Sequence, residues 1–285
     1  HRMSDHGFVY LVGAGPGSPG LLTLRALELI QSAEVIAHDL LVPPVILALA
    51  SSEAEVLAVG RLSGSPKRPD RLHPMVLERA RAGRRVVRLK AGDPFIFGRG
   101  AEEAEDLARA GIPYEVVPGV SAALAAAAGA AIPLTDRRMC SGVLIATGHQ
   151  IESRDPLEAA TVVLYMVSKK LQENIDRLLQ AGRRPHTPAA YVSSASRPGQ
   201  RVVVGTLADL VEKVEAEAPA GPALLIVGDV VRLRDSIDWA TRQPLAGRRL
   251  LVGRARPGRS RIAERLREYG AEVVEVPDVK VVPPT

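Results

Sequence analysis

Two carboxylates in the sequence stand where a parallel sheet usually binds its ligand, at or just beyond the end of an apolar run. Asp93 follows the predicted strand VVRLK (86–90) and a turn of two small residues, Ala91 and Gly92. Asp39 lies near the end of a second apolar run, VIAHDLLV. Small residues and a lone carboxylate at the carboxyl end of a strand let the backbone approach a ligand closely. The same residue types also cap ordinary strand-to-helix turns, so Asp93 has a structural interpretation as well.

A glycine-rich segment after the first predicted strand, FVYLV, suggests another ligand-binding turn. The segment 13–20, GAGPGSPG, is followed by a predicted helix and then by the strand that carries Asp39. This order resembles a dinucleotide-binding fingerprint and raises the hypothesis of a nicotinamide-dependent oxidoreductase. However, Ser18 stands in place of the third glycine, and Pro16 and Pro19 lack the N–H groups that would face a pyrophosphate. The segment therefore disfavours that hypothesis without excluding it.

Strand and helix signals alternate along most of the chain, which predicts an α/β fold with more than one domain. The segment 101–110 is a predicted amphipathic helix, YEVVP a strand, and 120–131 an Ala-rich helix. Further strands are predicted at 142–148, 161–166, 189–193, 201–207 and 223–231, with a helix at 170–181. A Pro-Gly pair at 118–119 suggests a domain boundary. We therefore expect an amino-terminal α/β domain over 8–118 and a second α/β domain over 119–243.

Composition indicates a globular protein of the soluble type. The chain has 285 residues, 46% of them hydrophobic and 24% charged, which is long enough for two domains with cores. No apolar run reaches the ~18 residues of a membrane span, and no signal-peptide core is evident. A single cysteine, Cys140, excludes an intrachain disulfide and fits the cytoplasm. The histidines and this cysteine lack metal-ligand spacing, so no metal is expected.

Basic residues concentrate in one stretch of the sequence. The formal net charge is +5, and the segment 61–90 contains ten Lys or Arg against two acidic residues. Such a stretch attracts nucleic acid, an anionic membrane or a polyanionic small molecule, or is simply a solvated face. It lacks the aromatic side chains and the module that RNA-binding proteins use. We expect no nucleic-acid or membrane partner, although a basic RNA-binding module remains an alternative that salt-sensitive RNA retention would support.

In two long segments the residue identities are more specific than the pattern of predicted strands and helices. The segment 90–128, KAGDPFIFGRGAEEAEDLARAGIPYEVVPGVSAALAAAA, resembles the central motif of the tetrapyrrole (precorrin) methyltransferases, and most of all the uroporphyrinogen-III C-methyltransferases. The segment 13–47 resembles the opening of the same enzymes, and the resemblance extends over about 8–240. It implies two α/β domains with the active site in the cleft between them. It also implies S-adenosylmethionine as methyl donor, S-adenosylhomocysteine as product, and a homodimer.

The resemblance also assigns site residues. It implies Asp39 as the catalytic base and places Arg61 where the family has a lysine, so that Arg61 can act only as a fixed positive charge. The residues that it implies for cofactor binding are Pro16, Ala91, Gly92, Asp93, Ile96, Ser121, Ala122, Met166 and Ala195. Ala91 replaces a usual glycine and would be strained if that turn needs a positive φ. A methionine that ends a buried strand, as Met166 does, is otherwise usually core filler.

The activity implied by the resemblance is two successive methylations of uroporphyrinogen III, at carbons two and seven. They would give precorrin-2 through precorrin-1, for sirohaem or cobalamin. Four departures from the family pattern, Leu40, Arg61, Ala91 and Asp136, motivate an alternative. In that alternative the chain is a paralogue that acts on a later precorrin, or one with weak or no turnover.

The last part of the chain carries a different resemblance. From residue 244, LAGRRLLVGRARPGRSRIAERLREYGAEVVEVPDVKVVPP is similar to the first strand–helix–strand of uroporphyrinogen-III synthase. The segment 244–285 is about the least that can hold a core unaided. We therefore expect a short βαβ tail, a truncated synthase-like fragment without synthase activity.

Overall fold

The computed structural model describes residues 7–59, 71–148, 160–254 and 260–277. Two compact units divide the chain: the first extends to Ala125 and includes Ala195–Arg197, and the second comprises Ala126–Ser194 and the chain from Pro198 onward. The domain limits at 118 and 243 and the cleft site stay predictions. Within the described ranges, no helix combines the length and the apolar character needed to cross a membrane.

A five-stranded parallel sheet forms the centre of the first unit, with its strands in the order β3-β2-β4-β1-β5. The strands are β1 (Phe8–Gly13), β2 (Val35–His38), β3 (Glu55–Ala58), β4 (Arg85–Lys90) and β5 (Tyr114–Val117). The helices are α1 (Leu24–Ser32), α2 (Pro44–Leu47), α3 (Pro74–Arg81) and α4 (Gly100–Arg109), and the division between the units falls within α5 (Ala122–Gly129). Because all five strands are parallel, the turns that follow β1, β2, β4 and β5 meet at one edge.

Both faces of this sheet are buried, which explains why its strands are almost continuously apolar. On one face Leu11 and Val86 pack in a cluster with Leu107 of α4. On the other face Leu89 packs in a cluster with Ile30 of α1. The alternation of side chains along each strand sends successive residues into the two clusters. Helices on both faces therefore hold the sheet and fix the position of its carboxyl edge.

The second unit contains a mixed sheet with strand order β6-β7-β10-β8-β9. Its strands are β6 (Gly142–Thr147), β7 (Ala160–Tyr165), β8 (Pro188–Ser193), β9 (Arg201–Thr206) and β10 (Ala223–Val227), and its helices are α6 (Leu171–Gln180), α7 (Leu210–Glu217) and α8 (Arg234–Ile237). β6 and β7 are parallel, whereas β10 is antiparallel to both β7 and β8. β7 and β8 therefore end at the same edge of the sheet.

The strand predicted over 223–231 is too long. β10 ends at Val227, and Asp229–Leu233 forms a 3₁₀ helix. Gly228 has a φ of +143°, which ends the extended conformation at that point. Val230 and Val231 are still buried, but as the inner face of the 3₁₀ helix. Apolar character alone did not distinguish a longer strand from a strand followed by a 3₁₀ helix.

A short parallel sheet lies near the end of the chain, as predicted. It consists of β11 (Arg249–Arg254) and β12 (Glu272–Pro277), connected by α9 (Arg261–Glu268). The hydroxyl of Ser260 caps α9 by accepting a hydrogen bond from the Ala263 N–H at 3.2 Å. Val273 and Ala263 are buried in a small cluster on the helix side, while Leu251 on the opposite side is 74% exposed. The predicted βαβ tail is therefore confirmed as a structural element.

The contacts of Asp209, at the start of α7, predict that the free energy of unfolding decreases in acid. It accepts hydrogen bonds from Lys213 Nζ (2.7 Å) and Thr206 N (2.6 Å), and the Lys213 contact is the largest cause that lowers the pKa of Asp209 from 3.8 to about 2. Because the folded-state pKa is lowered, the stabilisation is present above pH 3.8 and is lost as the pH falls through about 2. Asp209→Asn should lower the free energy of unfolding at pH 7 by about 0.2–1 kcal/mol, since the carboxylate is nearly half exposed and solvent weakens its ion pair.

Urea unfolding of Asp209→Asn and the wild type, measured from pH 7 down to pH 2, tests this prediction. The difference between the two proteins should shrink toward the acid end. Glu212→Gln, a change at an exposed carboxylate of the same helix, is the control and should behave like the wild type. A difference that stays constant with pH would contradict the assignment.

Candidate functional site

Three glycine-bearing turns at the carboxyl edge of the first unit pack against each other through their backbones. Gly15 and Gly92 exchange two hydrogen bonds, N–H to O=C at 3.1 and 2.8 Å. A Cβ on Gly119 would lie 2.2 Å from the Gly92 oxygen, and a Cβ on Gly13 would lie 2.5 Å from the Gly119 nitrogen. Only glycine permits such an approach. The turns after β1, β4 and β5 therefore form one backbone platform, which we call the glycine platform (Gly13, Gly15, Gly92 and Gly119).

Four of the predicted cofactor-binding residues meet beside this platform. Gly92 has a φ of +70°, and a Cβ built on it would come no closer than 3.8 Å to Ala122 N and 4.0 Å to Ser121 Cα. Ala91, Gly92, Ser121 and Ala122 are thus brought together, with room next to Gly92. The backbone of Ala91 does not have a positive φ. The left-handed position is Gly92, so the expected strain at Ala91 does not arise.

The Asp93 carboxylate binds backbone groups with both of its oxygens. Oδ1 accepts a hydrogen bond from Phe95 N at 2.8 Å, and Oδ2 accepts one from Gly119 N at 3.0 Å. The second bond joins the turn after β4 to the turn after β5. The structural interpretation of Asp93 is therefore confirmed, and its role in cofactor binding stays a prediction.

Next to Asp93, an apolar tripeptide is exposed on the same edge. Phe95, Ile96 and Phe97 are 56%, 39% and 38% exposed, and Phe97 has a φ of +52°. Two of the three phenylalanines of the chain are thus in contact with solvent. A positive φ on a bulky residue is rare and is often associated with functional sites. Ile96 therefore lies in a segment suited to contact a flat apolar ligand.

The Asp39 carboxylate follows β2 and lies at the end of a chain of charged groups. Its oxygen Oδ1 is 2.5 Å from Arg88 Nη2, and its oxygen Oδ2 is 3.8 Å from Lys90 Nζ. Glu103 of α4 binds the same two cations, with Oε1 at 2.8 Å from both Arg88 Nη2 and Lys90 Nζ. We call these four side chains, Asp39, Arg88, Lys90 and Glu103, the buried ion network.

The buried ion network contains two positive and two negative charges, and only one of them reaches the surface. The side chains of Arg88, Lys90 and Glu103 are 5%, 2% and 9% exposed, whereas Asp39 is 26% exposed. Burial by itself lowers the pKa of Arg88, but the carboxylates of Glu103 and Asp39 outweigh it and raise that pKa. Burial, followed by repulsion from Arg88, lowers the pKa of Lys90. Arg88 therefore stays charged, and Asp39 is the accessible end of the network.

Sequence reasoning identified Asp39 but missed its three partners. A signal was present, because Arg88 and Lys90 alternate with apolar residues in VVRLK, the central strand of a sheet that is buried on both faces. Charged side chains in such a strand are rarely buried unless they are paired. Glu103 similarly lies on the buried stripe of α4, with Gly100, Ala104 and Leu107. Together these positions predict an internal ion pair.

Several cations of the basic stretch 61–90 bind carboxylates of the chain itself. Arg79 binds Glu55 with Nη2–Oε1 at 2.7 Å, and Arg84 lies 3.8 Å from the same carboxylate. Arg85 contacts Glu34 through its backbone N–H and its side chain. These three arginines, like Arg88 and Lys90, neutralise carboxylates of the first unit. These five residues therefore already have carboxylate partners within the chain, which charge in the sequence does not show, and the prediction that the stretch binds a polyanionic ligand stays a prediction.

Arg197 holds the turn that contains Pro16. Its Nε donates to the Pro16 oxygen at 3.0 Å and its Nη2 donates to the Leu41 oxygen at 2.7 Å. Burial lowers the pKa of Arg197. A Cβ on Gly17 would lie 2.6 Å from Arg197 Nε, so the guanidinium covers this turn closely. The Pro16 carbonyl is thus oriented by a residue almost 200 positions away in sequence, which no local pattern indicates.

Met166 and Ala195 follow β7 and β8, which end at the same edge of the second sheet. Met166 is 55% exposed and has a φ of +61°, so its interpretation as core filler is wrong. Ser194 and Ser196, on either side of the buried Ala195, also have positive φ values of 50° and 59°. Three non-glycine residues in this conformation indicate backbone strain at both strand ends, as is common at ligand sites.

Three further positions, Leu40, Arg61 and Asp136, depart from the family pattern. Arg61 is outside the described residues. Leu40 is half exposed beside Asp39. Asp136 binds its neighbour Arg138, with Oδ2–Nη2 at 3.0 Å, and this contact lowers the pKa of Asp136. Asp136 therefore stabilises its own turn.

A cavity of about 420 Å³ lies in the second unit, lined by residues that include Cys140, Arg183 and His186. Ala160 and Pro188, where β7 and β8 begin, also line it. It is therefore at the opposite end of these strands from Met166. None of the predicted site residues that the structure describes lines this cavity, so the candidate site is not placed there.

Comparison with known proteins agrees with this geometry. Residues 9–211 match the family described as tetrapyrrole (corrin/porphyrin) methylases. The chain belongs to this family. The match extends from β1 to the start of α7 and therefore includes the glycine platform and the buried ion network. It does not favour the nicotinamide oxidoreductase hypothesis.

Individual relatives support the same assignment. The chain is 40% identical over 288 residues to the porphyrin biosynthesis protein HemD of Ruminiclostridium josui, covering 98% of this chain and 57% of the relative. It is 47% identical over 241 residues to siroheme synthase of Azotobacter vinelandii, covering 82% of this chain and 52% of the relative. The chain thus spans about half the length of these curated relatives. The HemD match includes the tail, which agrees with its predicted synthase-like character.

A solved structure confirms the fold class. The uroporphyrin-III C-methyltransferase of Thermus thermophilus, complexed with S-adenosylhomocysteine, matches with a TM-score of 0.67 and 40% identity. The match covers 80% of this chain and all of that chain. The predicted α/β class with two sheets is therefore confirmed.

Proposed function

We propose that this protein transfers methyl groups from S-adenosylmethionine to carbon atoms of uroporphyrinogen III. In the proposed reaction, carbons two and seven are methylated in turn, giving precorrin-2 through precorrin-1 for sirohaem or cobalamin. The observation that carries the proposal is the glycine platform lying one strand from an accessible carboxylate, Asp39, in a chain of this family. A homodimer is part of the proposal by analogy with the family.

The residues present suit a nucleoside-type cofactor. Gly92 and its neighbours offer backbone rather than side chains, with space bordered by Ser121 and Ala122. Pro16, Asp93 and Ile96 adjoin this edge of the first unit, and the family resemblance implies Met166 and Ala195 as further cofactor-binding residues. The Thermus relative, 40% identical, carries S-adenosylhomocysteine in its crystal structure. We therefore assign cofactor binding to these nine residues, Pro16, Ala91, Gly92, Asp93, Ile96, Ser121, Ala122, Met166 and Ala195.

The chemistry requires little from the protein beyond orientation and a base. When bound, S-adenosylmethionine would supply a sulfonium methyl, which an electron-rich pyrrole carbon would attack while S-adenosylhomocysteine leaves. Orientation of the two reactants in a near-attack geometry lowers the barrier by up to about 7–11 kcal/mol. The substrate must then lose a proton, and Asp39 is the exposed carboxylate that can accept it. Arg88 holds Asp39 Oδ1, and Oδ2, which lies 3.8 Å from Lys90 Nζ, is the oxygen to which we assign the proton.

The substrate carries eight carboxylates around an apolar macrocycle. The exposed tripeptide 95–97 can contact the macrocycle, and the exposed Arg99 lies directly beside it. Arg79 and Arg88 of the basic stretch already bind carboxylates of the chain itself. Arg61 remains assigned as a fixed positive charge, since a guanidinium does not give up a proton at accessible pH.

Incubation of the protein with methyl-labelled S-adenosylmethionine and uroporphyrinogen III, under anaerobic conditions, tests the proposal. Label should enter the tetrapyrrole fraction, with two methyl groups per macrocycle and a red fluorescent product after oxidation. Label that enters only when a later precorrin is supplied would overturn the proposal in favour of the paralogue alternative. No transfer to either substrate would contradict a methyltransferase activity.

A further inference from the structure

We propose that Lys90 and Glu103 are positioning residues of the methyl-transfer site, Glu103 acting on Asp39 through Arg88 and Lys90 through the two carboxylates that it faces. This inference rests on the proposed function and adds two residues to which the family resemblance gives no role. Neither side chain reaches the surface, since Lys90 is 2% and Glu103 9% exposed. Their effect on a reaction must therefore pass through the groups that they contact.

Glu103 is the central acceptor of the buried ion network. Its carboxylate takes hydrogen bonds from Arg88 Nε (3.1 Å to Oε2) and Arg88 Nη2 (2.8 Å to Oε1), a two-point contact that fixes the plane of the guanidinium. Arg88 Nη2 also donates to Asp39 Oδ1. The position of the Asp39 carboxylate is therefore set by a guanidinium whose orientation Glu103 determines.

Lys90 balances the charge of the same group. Its Nζ is 2.8 Å from Glu103 Oε1 and 3.8 Å from Asp39 Oδ2, so that it faces both carboxylates from β4. Arg88 Nη1 donates to the carbonyl oxygens of Ala37 and Leu89, which anchors the guanidinium to β2 and β4. With two cations and two carboxylates, the network is neutral.

Loss of one charged member leaves an uncompensated charge in the interior, which the remaining groups can relieve only by moving. Removing the Glu103 charge frees Arg88 to turn wholly toward Asp39. Removing the Lys90 charge leaves two carboxylates competing for one guanidinium. In both cases the accessible oxygen of Asp39 changes position, and misplacement of a catalytic group by about 1 Å can cost about 100-fold in rate.

Four variants test the inference by steady-state methylation of uroporphyrinogen III. Glu103→Gln should lower kcat by about 10- to 100-fold while KM for S-adenosylmethionine stays within about threefold of wild type. Lys90→Met should have a similar effect. The double variant Lys90→Met/Glu103→Gln removes one charge of each sign, and its kcat should exceed that of Glu103→Gln several-fold. Glu102→Gln, an exposed change one residue away on α4, is the matched control and should retain wild-type kcat.

Several results would overturn the inference. A wild-type kcat in Glu103→Gln, or a double variant no faster than Glu103→Gln, shows that the network does not position Asp39. If Glu103→Gln does not fold, Glu103→Asp replaces it, because this variant keeps the charge on a side chain that is shorter by one methylene. A wild-type kcat in Glu103→Asp would also contradict the inference. A wild-type protein that transfers no methyl contradicts the proposed function itself. An active wild type with unaffected variants contradicts only the role of Lys90 and Glu103.

Discussion

Asp39→Asn is expected to reduce methyl transfer by about 10²–10⁴-fold, the range associated with loss of a general base. The asparagine amide can still accept the hydrogen bond from Arg88, so the side chain should stay in place, but it cannot take up the proton that the substrate must lose. Binding of S-adenosylhomocysteine should change little, because Asp39 contacts the ion network and not the glycine platform. Single-turnover kinetics and calorimetric titration measure the two quantities separately.

The control for this prediction is Asp229→Asn, the same change at an exposed carboxylate of the second unit. It should retain both activity and binding. Asp39→Asn with wild-type turnover would show that another group accepts the proton. A parallel loss of turnover and of S-adenosylhomocysteine binding would instead indicate a general structural defect.

Gly119→Ala is expected to disrupt the glycine platform. The added methyl would lie 2.2 Å from the Gly92 oxygen and 2.8 Å from Gly13 Cα, and both neighbours are backbone atoms that cannot rotate away. The turn must therefore move, which also breaks the hydrogen bond from Gly119 N to Asp93 Oδ2. We expect a loss of about 1–3 kcal/mol in the free energy of unfolding. The affinity for S-adenosylhomocysteine should fall by at least about tenfold, which corresponds to about 1.4 kcal/mol.

Gly20→Ala provides the matched control, because the added methyl would meet only Ser18 Oγ at 3.8 Å. Denaturant unfolding and calorimetric titration of both variants give the comparison. If Gly119→Ala binds S-adenosylhomocysteine as tightly as Gly20→Ala, the platform does not contribute to the cofactor site. If neither variant folds less stably than the wild type, the close approach of the turns is not essential.

Local patterns in the sequence determined much of the first unit. Each predicted strand over 8–12, 86–90 and 114–118 is present to within one or two residues, because a run of apolar residues bounded by glycine or proline has few alternatives. Parallel pairing then requires the turns after these strands to meet at one edge, so the approach of Gly92 to the first glycine-rich turn follows from topology. The residue-by-residue resemblance to the family, rather than the pattern of strands and helices, indicated the chemistry.

Only the tertiary structure decided which charged residues are partners. Arg88, Lys90 and Glu103 become neighbours of Asp39 because β2, β4 and α4 pack together, and pairs separated by up to 51 positions leave no trace in local spacing. The same is true of Arg197, which orients the Pro16 carbonyl from the far end of the matched region. The sequence alone determined the strands, the glycine turns and the family. Long-range packing determined the ion pairs and the exposure of Met166, since the energy of such contacts depends on groups that only the fold brings within a few ångströms.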